Sequence, residues 1–176
     1  MHTAWDAAPG GISEAYTKIA GMRVIDNFYA NDNGKKIAIG RIGCPISIEL
    51  GNGSKTTLED VIKNLSRNLN LNNIIYYGDL DCVVEKAVIC AGKGINSDFI
   101  MDAVKLGCDT FITGECNYPE YLLARELKIN IIETTHYASE KIGMESLQQI
   151  LTTTFPRDNF IFIESNDPAK NYSPSG

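Results

Sequence analysis

The sequence predicts an α/β fold: a largely parallel or mixed sheet with flanking helices. Three observations carry that expectation. Apolar runs of four or five residues alternate with longer segments of helical spacing, the pattern of βαβ units. Glycine-containing turns such as Gly92-Lys93-Gly94 and Thr113-Gly114-Glu115 follow the apolar runs. The polar residues with the most chemistry fall just after those runs, where open α/β sheets place their pockets.

The elements follow in order. Residues 2–11, HTAWDAAPGG, read as a loop feeding a short helix that begins at Ile12 and ends at Gly21. Lys36–Gly43 alternates apolar with polar or small residues and reads as a half-buried strand. Thr57–Asn68 reads as a helix, because Thr57 and Asp60 have capping-box spacing and Leu58, Val61, Ile62 and Leu65 repeat helically. Asn73–Tyr77, bounded by Gly78-Asp79, is the next strand. Lys86–Cys90 is a short buried strand, and Ser97 is expected to cap a helix through Leu106 that Gly107 ends. Asp109–Thr113 is a strand, and Tyr118–Leu127 a helix that accepts Pro119 in its first turn. Asn130–Glu133 is a third such strand, followed by a helix over Tyr137–Leu151. Asn159–Ile163 is expected to close the set as a strand. Residues 1–164 form the main region, with room for an inserted or second lobe around 23–85, and 165–176 are a polar tail.

At 176 residues the chain fits one ordinary domain, or one domain plus part of another. Its composition, 44% hydrophobic and 22% charged, is that of a globular protein. A net charge of −6, with no Lys/Arg cluster, argues against a nucleic-acid partner held by phosphate neutralisation. No apolar run approaches the ~20 residues of a membrane span, and no basic-then-apolar leader is visible. The five cysteines are odd in number and show no Cys-x-x-Cys spacing. They are expected to be small buried thiols, and the expected location is the cytoplasm.

His136 and Glu140 are four residues apart at a strand-to-helix junction. On a helix they share one face with Cβ atoms ~6 Å apart, close enough to converge on one divalent cation or to form a surface pair. Imidazole and carboxylate suit zinc, iron or manganese. Two ligands do not make a site, and Asp6 is the natural third, unless it merely caps the following helix. His2, the only other histidine, is a ligand candidate or a polar terminal residue. The Gly92–Ser97 loop suggests an anion site at a helix start, but it lacks Walker A spacing and the third glycine of a dinucleotide fingerprint. Glu115 presents a carboxylate to the same edge, as a partner to a ligand or a general base.

Together, HTAWDAAPGG, VICAGKG, DTFITGE and IIETTHYASEKIG resemble the Nif-three-like family, the GTP cyclohydrolase I type 2 homologues or dinuclear metal-centre hexameric proteins. The resemblance runs in order from residue 2 to about residue 164. It implies a homohexameric ring of α/β subunits, each holding two divalent cations. Its ligands would be an adjacent histidine pair near the N-terminus, an aspartate in the HTxxD loop, and the histidine and glutamate of HYxxE. By match the last three fall on Asp6, His136 and Glu140. The sequence departs from that pattern twice. The histidine pair is not present, so the resemblance implies an incomplete dinuclear site in a chain that starts partway through a metal-binding protein. After Thr-Gly-Glu the chain runs Cys116-Asn117-Tyr118-Pro119, where many members carry a histidine. The implied function is a metal-dependent, hydrolase-like protein acting on a nucleotide-like or related small substrate, with Glu115 moving protons. A non-catalytic metal-binding assembly or regulatory protein is the alternative.

Overall fold

The computed structural model describes residues 2–32, 35–46 and 55–170. Its elements are α1 (His2–Ala7), α2 (Ile12–Ile19), β1 (Met22–Asp32), β2 (Lys35–Pro45), α3 (Leu58–Leu69), β3 (Ile75–Tyr77), β4 (Ala87–Cys90), α4 (Ser97–Lys105), β5 (Thr110–Thr113), α5 (Tyr118–Leu127), β6 (Asn130–Glu133) and α6 (His136–Thr154). All four residues of β4 and all four of β5 are buried, which a strand tolerates when both faces of its sheet are covered. These strands and β6 run parallel at the centre of a six-stranded mixed sheet ordered β1-β2-β4-β5-β6-β3. β1, β2 and β3 join it antiparallel.

Alternate side chains build two cores. Val88, Cys90, Phe111 and Ile131 face one side with Phe28, Ile42 and Ile100. Ile89, Ile112 and Ile132 face the other with Tyr16, Met22, Leu58, Val61 and Leu65. Phe28 meets Phe99 and Phe111 edge-on, with ring centroids 5.9 and 6.0 Å apart.

The capping box of α3 forms as its sequence predicts. Asp60 N donates to Thr57 Oγ1 at 3.2 Å, and Thr57 N donates to Asp60 Oδ2 at 2.9 Å. The Thr57 N–H and the Thr57 hydroxyl, which donates to Asp60 Oδ2 at 3.0 Å, hold the Asp60 carboxyl below its ordinary pKa.

Four expectations need correction. HTAWDA is helical rather than a loop; only the following turn, with Gly10 at φ +75°, is irregular. Met22–Asp32, not anticipated as a strand, is the long edge strand. Its register slips between Val24 and Asp26 and between Phe28 and Tyr29, so the apolar alternation that would announce it is broken twice. α4 is capped by Asn96, whose Oδ1 accepts from Phe99 N at 2.9 Å, and Ser97 is the first helical residue. Residues 159–163 form no strand; Ile161 and Ile163 are 75% and 83% exposed.

All five cysteines are free; Cys90 and Cys108 are buried and the other three partly so. No helix among the described residues is long and apolar enough to cross a membrane.

Candidate functional site

Parallel strands deliver their carboxyl ends to one edge, so β4, β5 and β6 finish side by side at Cys90, Thr113 and Glu133. The turns beyond them lock together. Gly92, at φ +58°, turns its carbonyl to accept from Gly114 N and Glu115 N, both at 3.0 Å. The Gly92 N–H donates to Ser139 Oγ at 2.9 Å, and Ser139 in turn donates to the His136 carbonyl at 2.9 Å. A Cβ at Gly114 would lie 2.3 Å from Ser139 Oγ, so only glycine lets the β5 turn come this close to α6. From below, the buried Tyr16 hydroxyl donates to the Thr113 carbonyl at 3.1 Å and pairs with Thr134 Oγ1 at 2.8 Å. Burial pushes the Tyr16 pKa up, so the phenol stays a neutral donor.

His136 opens α6 on this platform, where Thr135 Oγ1 caps the helix by accepting from Ala138 N at 3.0 Å. The ring lies between two carboxylates. Nδ1 is 3.0 Å from Glu115 Oε2, and Nε2 is 3.2 Å from Glu140 Oε1 one helical turn on. The hydrogen bond to Glu115 is the largest cause of a raised His136 pKa, with Glu140 adding to it against partial burial. Lys93 Nζ, from the glycine loop, stands 3.9 Å from the other Glu115 oxygen. Gly92 packs tightly against this group: a Cβ there would lie 2.5 Å from Glu140 Oε1 and 3.2 Å from His136 Nε2.

His136 Nε2 and Glu140 are two donors of the kind that a divalent ion takes. With a proton on Nδ1 directed at Glu115, Nε2 offers its lone pair beside the Glu140 carboxylate, the arrangement of a metal-binding imidazole oriented by an outer carboxylate. The structure therefore brings Glu115, His136 and Glu140 together. Asp6 approaches from α1 on the β4 side, where its charge, after burial, helps push the Cys90 thiol pKa up. Among the described residues, no group of three or more His, Cys, Asp or Glu side chains is arranged to hold a metal ion. The His2 side chain lies outside the described residues.

Three contributors were not singled out from sequence. Ser139 stitches the loop to α6 from within the HYASE segment. Trp5 Nε1 donates to the Gly143 carbonyl of α6 at 2.8 Å. Arg41, on β2, is buried and reaches the carbonyls that follow Asp6. No local pattern marks such long-range contacts. Beside Glu140 opens a cavity of about 520 Å³, lined by Trp5, Tyr137, Met144, Leu147 and Phe162 among others.

Known proteins share this architecture. A GTP cyclohydrolase 1 type 2 homolog from Clostridium perfringens is 32% identical over 173 residues, 92% of this chain and 63% of that protein. The chain thus spans less than two thirds of that relative's length. A crystal structure of a Staphylococcus aureus protein matches with a TM-score of 0.77 at 20% identity, covering 98% of this chain and 68% of that one. Protein ybgI, of unknown function, matches with a TM-score of 0.75 at 23% identity, covering 96% and 61%. At these identities the structural likeness speaks for the fold alone. Over residues 1–168 the sequence matches the family described as Duf34/NIF3 (NGG1p interacting factor 3), and the chain belongs to that family.

Proposed function

We propose that this chain binds a divalent metal ion, zinc, iron or manganese, through His136 Nε2 and Glu140, with Asp6 as third ligand. On this reading it is a metal-dependent hydrolase acting, as a homo-oligomer, on a nucleotide-like or related small molecule. One observation carries it: the imidazole held between Glu115 and Glu140, with the Gly92 backbone packed against Glu140 and Nε2. The name of the Clostridium perfringens relative supports a cyclohydrolase-type substrate.

A divalent ion at such a site supplies Lewis acidity and a nucleophilic water at neutral pH. The chain's own residues do the rest. Glu115 fixes the ring tautomer by accepting from Nδ1, and with its other oxygen it is the candidate general base. Lys93 balances the Glu115 charge at 3.9 Å and lies where an anionic substrate group can meet it. The largely apolar groove beside Glu140 is of a size to hold a small-molecule body.

Elemental analysis of the purified chain beside H136A and E140A tests the site, and a nucleotide-hydrolysis assay tests the reaction. Metal in the starting protein, lost in both variants together with hydrolysis, is the expected result. A metal-free starting protein after supplementation with zinc, iron or manganese overturns the reading. Metal without turnover on any nucleotide would make the chain a non-catalytic assembly or regulatory protein.

A further inference from the structure

Residues 159–165 lie outside the sheet and run back along α6. Near one end of the run the Phe160 carbonyl accepts from Gln148 Nε2 at 2.9 Å. Near the other, Lys141 Nζ stands 2.5 Å from Glu164 Oε1, and the Tyr137 hydroxyl donates to the Ser165 carbonyl. Tyr137 and Lys141 are one helical turn apart and share a face of α6. Among the described residues no strand pairs with the run. Its polar hold on the molecule is this set of side-chain tethers.

The run borders the groove of about 520 Å³ beside Glu140. Met144 and Leu147 of α6, Trp5 of α1, Ile12 of α2 and Phe162 of the run itself make that groove largely apolar. Lys141 is the only cation among the lining residues, and the carboxylate that meets it comes from Glu164. Glu140, also in the lining, has an oxygen turned to His136, 3.2 Å from Nε2. The Lys141 and Glu164 side chains are 29% and 69% exposed. A pair that open to water contributes little to stability, so another anion can replace Glu164 at small cost. Concave apolar sites with a few placed polar groups are where small molecules bind, and the placed group here is a cation.

We propose that the groove binds a small molecule with an apolar body and one anionic head, and that Glu164 holds the place of that head on Lys141. The body lies along Trp5, Met144 and Leu147. The head displaces the Glu164 carboxylate, and the Gln148 tether keeps the other end of the run on α6. Neither a metal nor turnover enters, so the inference stands apart from the hydrolase reading.

The test uses the full chain and two fluorescent probes of similar shape, anionic anilinonaphthalene sulfonate and neutral phenylnaphthylamine. Trp5 is the only tryptophan, so energy transfer from it reports a probe close to the groove. The proteins are the starting chain, E164Q, K141M, the K141M/E164Q double variant and M144E, with thermal melts to monitor folding. E164Q should tighten the sulfonate about threefold and K141M should weaken it about threefold, the scale of one exposed ion pair. In the K141M background E164Q should change sulfonate affinity by less than about twofold, because its effect is routed through Lys141. The neutral probe should bind all four of these chains alike, and M144E, with a carboxylate set into the lining, should weaken both probes. Where K141M does not melt cooperatively, K141Q replaces it with the same expectations. Sulfonate affinity unmoved by E164Q, or raised equally in both backgrounds as by a long-range charge effect, overturns the role of Glu164. An equal gain for the neutral probe in E164Q does the same, because it shows a loosened run rather than a freed cation. No transfer from Trp5, or no effect of M144E, overturns the groove as the site.

Discussion

Gly92 lies against Glu140 with no room for even a methyl group between them, since a Cβ at residue 92 would stand 2.5 Å from Glu140 Oε1. Its φ of +58° is one that side-chain-bearing residues also resist. Gly92→Ala should therefore cost roughly 1–2 kcal/mol of stability through its backbone alone. It should also swing the Glu140 carboxylate aside and weaken metal binding. Urea denaturation and a zinc titration read the two effects, and no change in either would show that the loop has slack.

Glu115 holds the His136 ring from the side opposite Glu140. In the metal-free chain His136 should titrate above its ordinary value of 6.5, and Glu115→Gln should bring the midpoint back down toward it. The folded-state value is the higher one. The stabilisation from the charged ring is thus fully present below the unfolded value and is lost as pH rises through the folded one. Ring proton shifts in NMR give the midpoint directly. An unmoved midpoint in E115Q would show that the carboxylate does not grip the ring.

The Tyr16 hydroxyl joins α2 to the ends of β5 and β6. Tyr16→Phe leaves buried partners at Thr113 and Thr134 and should cost about 1–3 kcal/mol. Thr134→Ala in the same chain should add less than its separate cost, because the two hydroxyls share one bond. Additive losses in urea midpoints would contradict the shared network.

Thr57→Ala removes the cap of α3 and should cost ~1 kcal/mol at neutral pH. Thr57→Ala keeps the backbone N–H that bonds Asp60 Oδ2 and loses only the hydroxyl, so the Asp60 pKa should rise part of the way toward its ordinary range. Because the folded Asp60 pKa is depressed, its contribution is present above the unfolded value of 3.8 and disappears as pH falls through the folded one. The gap between starting protein and variant should narrow in acid, as melts from pH 7 to pH 2 would show. A constant gap would mean that the Thr57 hydroxyl adds nothing to the charged state of Asp60.

Local signals explain which of these features the sequence makes legible. The Thr57/Asp60 box lies within four residues, and the apolar cores of β4, β5 and β6 are short and uninterrupted. The HYASE segment likewise announces a helical His136–Glu140 pair on its own. Features that depend on distant partners do not show. β1 hides because two register slips break its alternation. The NFIFI run has the composition of a strand, yet no neighbouring strand receives it among the described residues. α1 looks like a loop because six residues ahead of Pro9-Gly10-Gly11 carry little helical signal; its support comes from Trp5 on α6 and Arg41 on β2. Glu115 is recognisable as a carboxylate after a strand, but its grip on Nδ1 rather than on open solvent depends on where α6 starts.

The stretch from Phe160 to Ile163 has a consequence for handling the protein. Two isoleucines face water beside two phenylalanines, in a run that would extend readily against a like run from another molecule. Glu164 beside it is paired with Lys141 at 2.5 Å, so the repulsion that keeps chains apart comes from the net charge of −6 as a whole. Salt shortens the reach of that repulsion to about 3 Å at 1 M. Concentrated, high-salt stocks of this protein should therefore cloud sooner than dilute, low-salt ones, and Ile161→Lys should delay the onset.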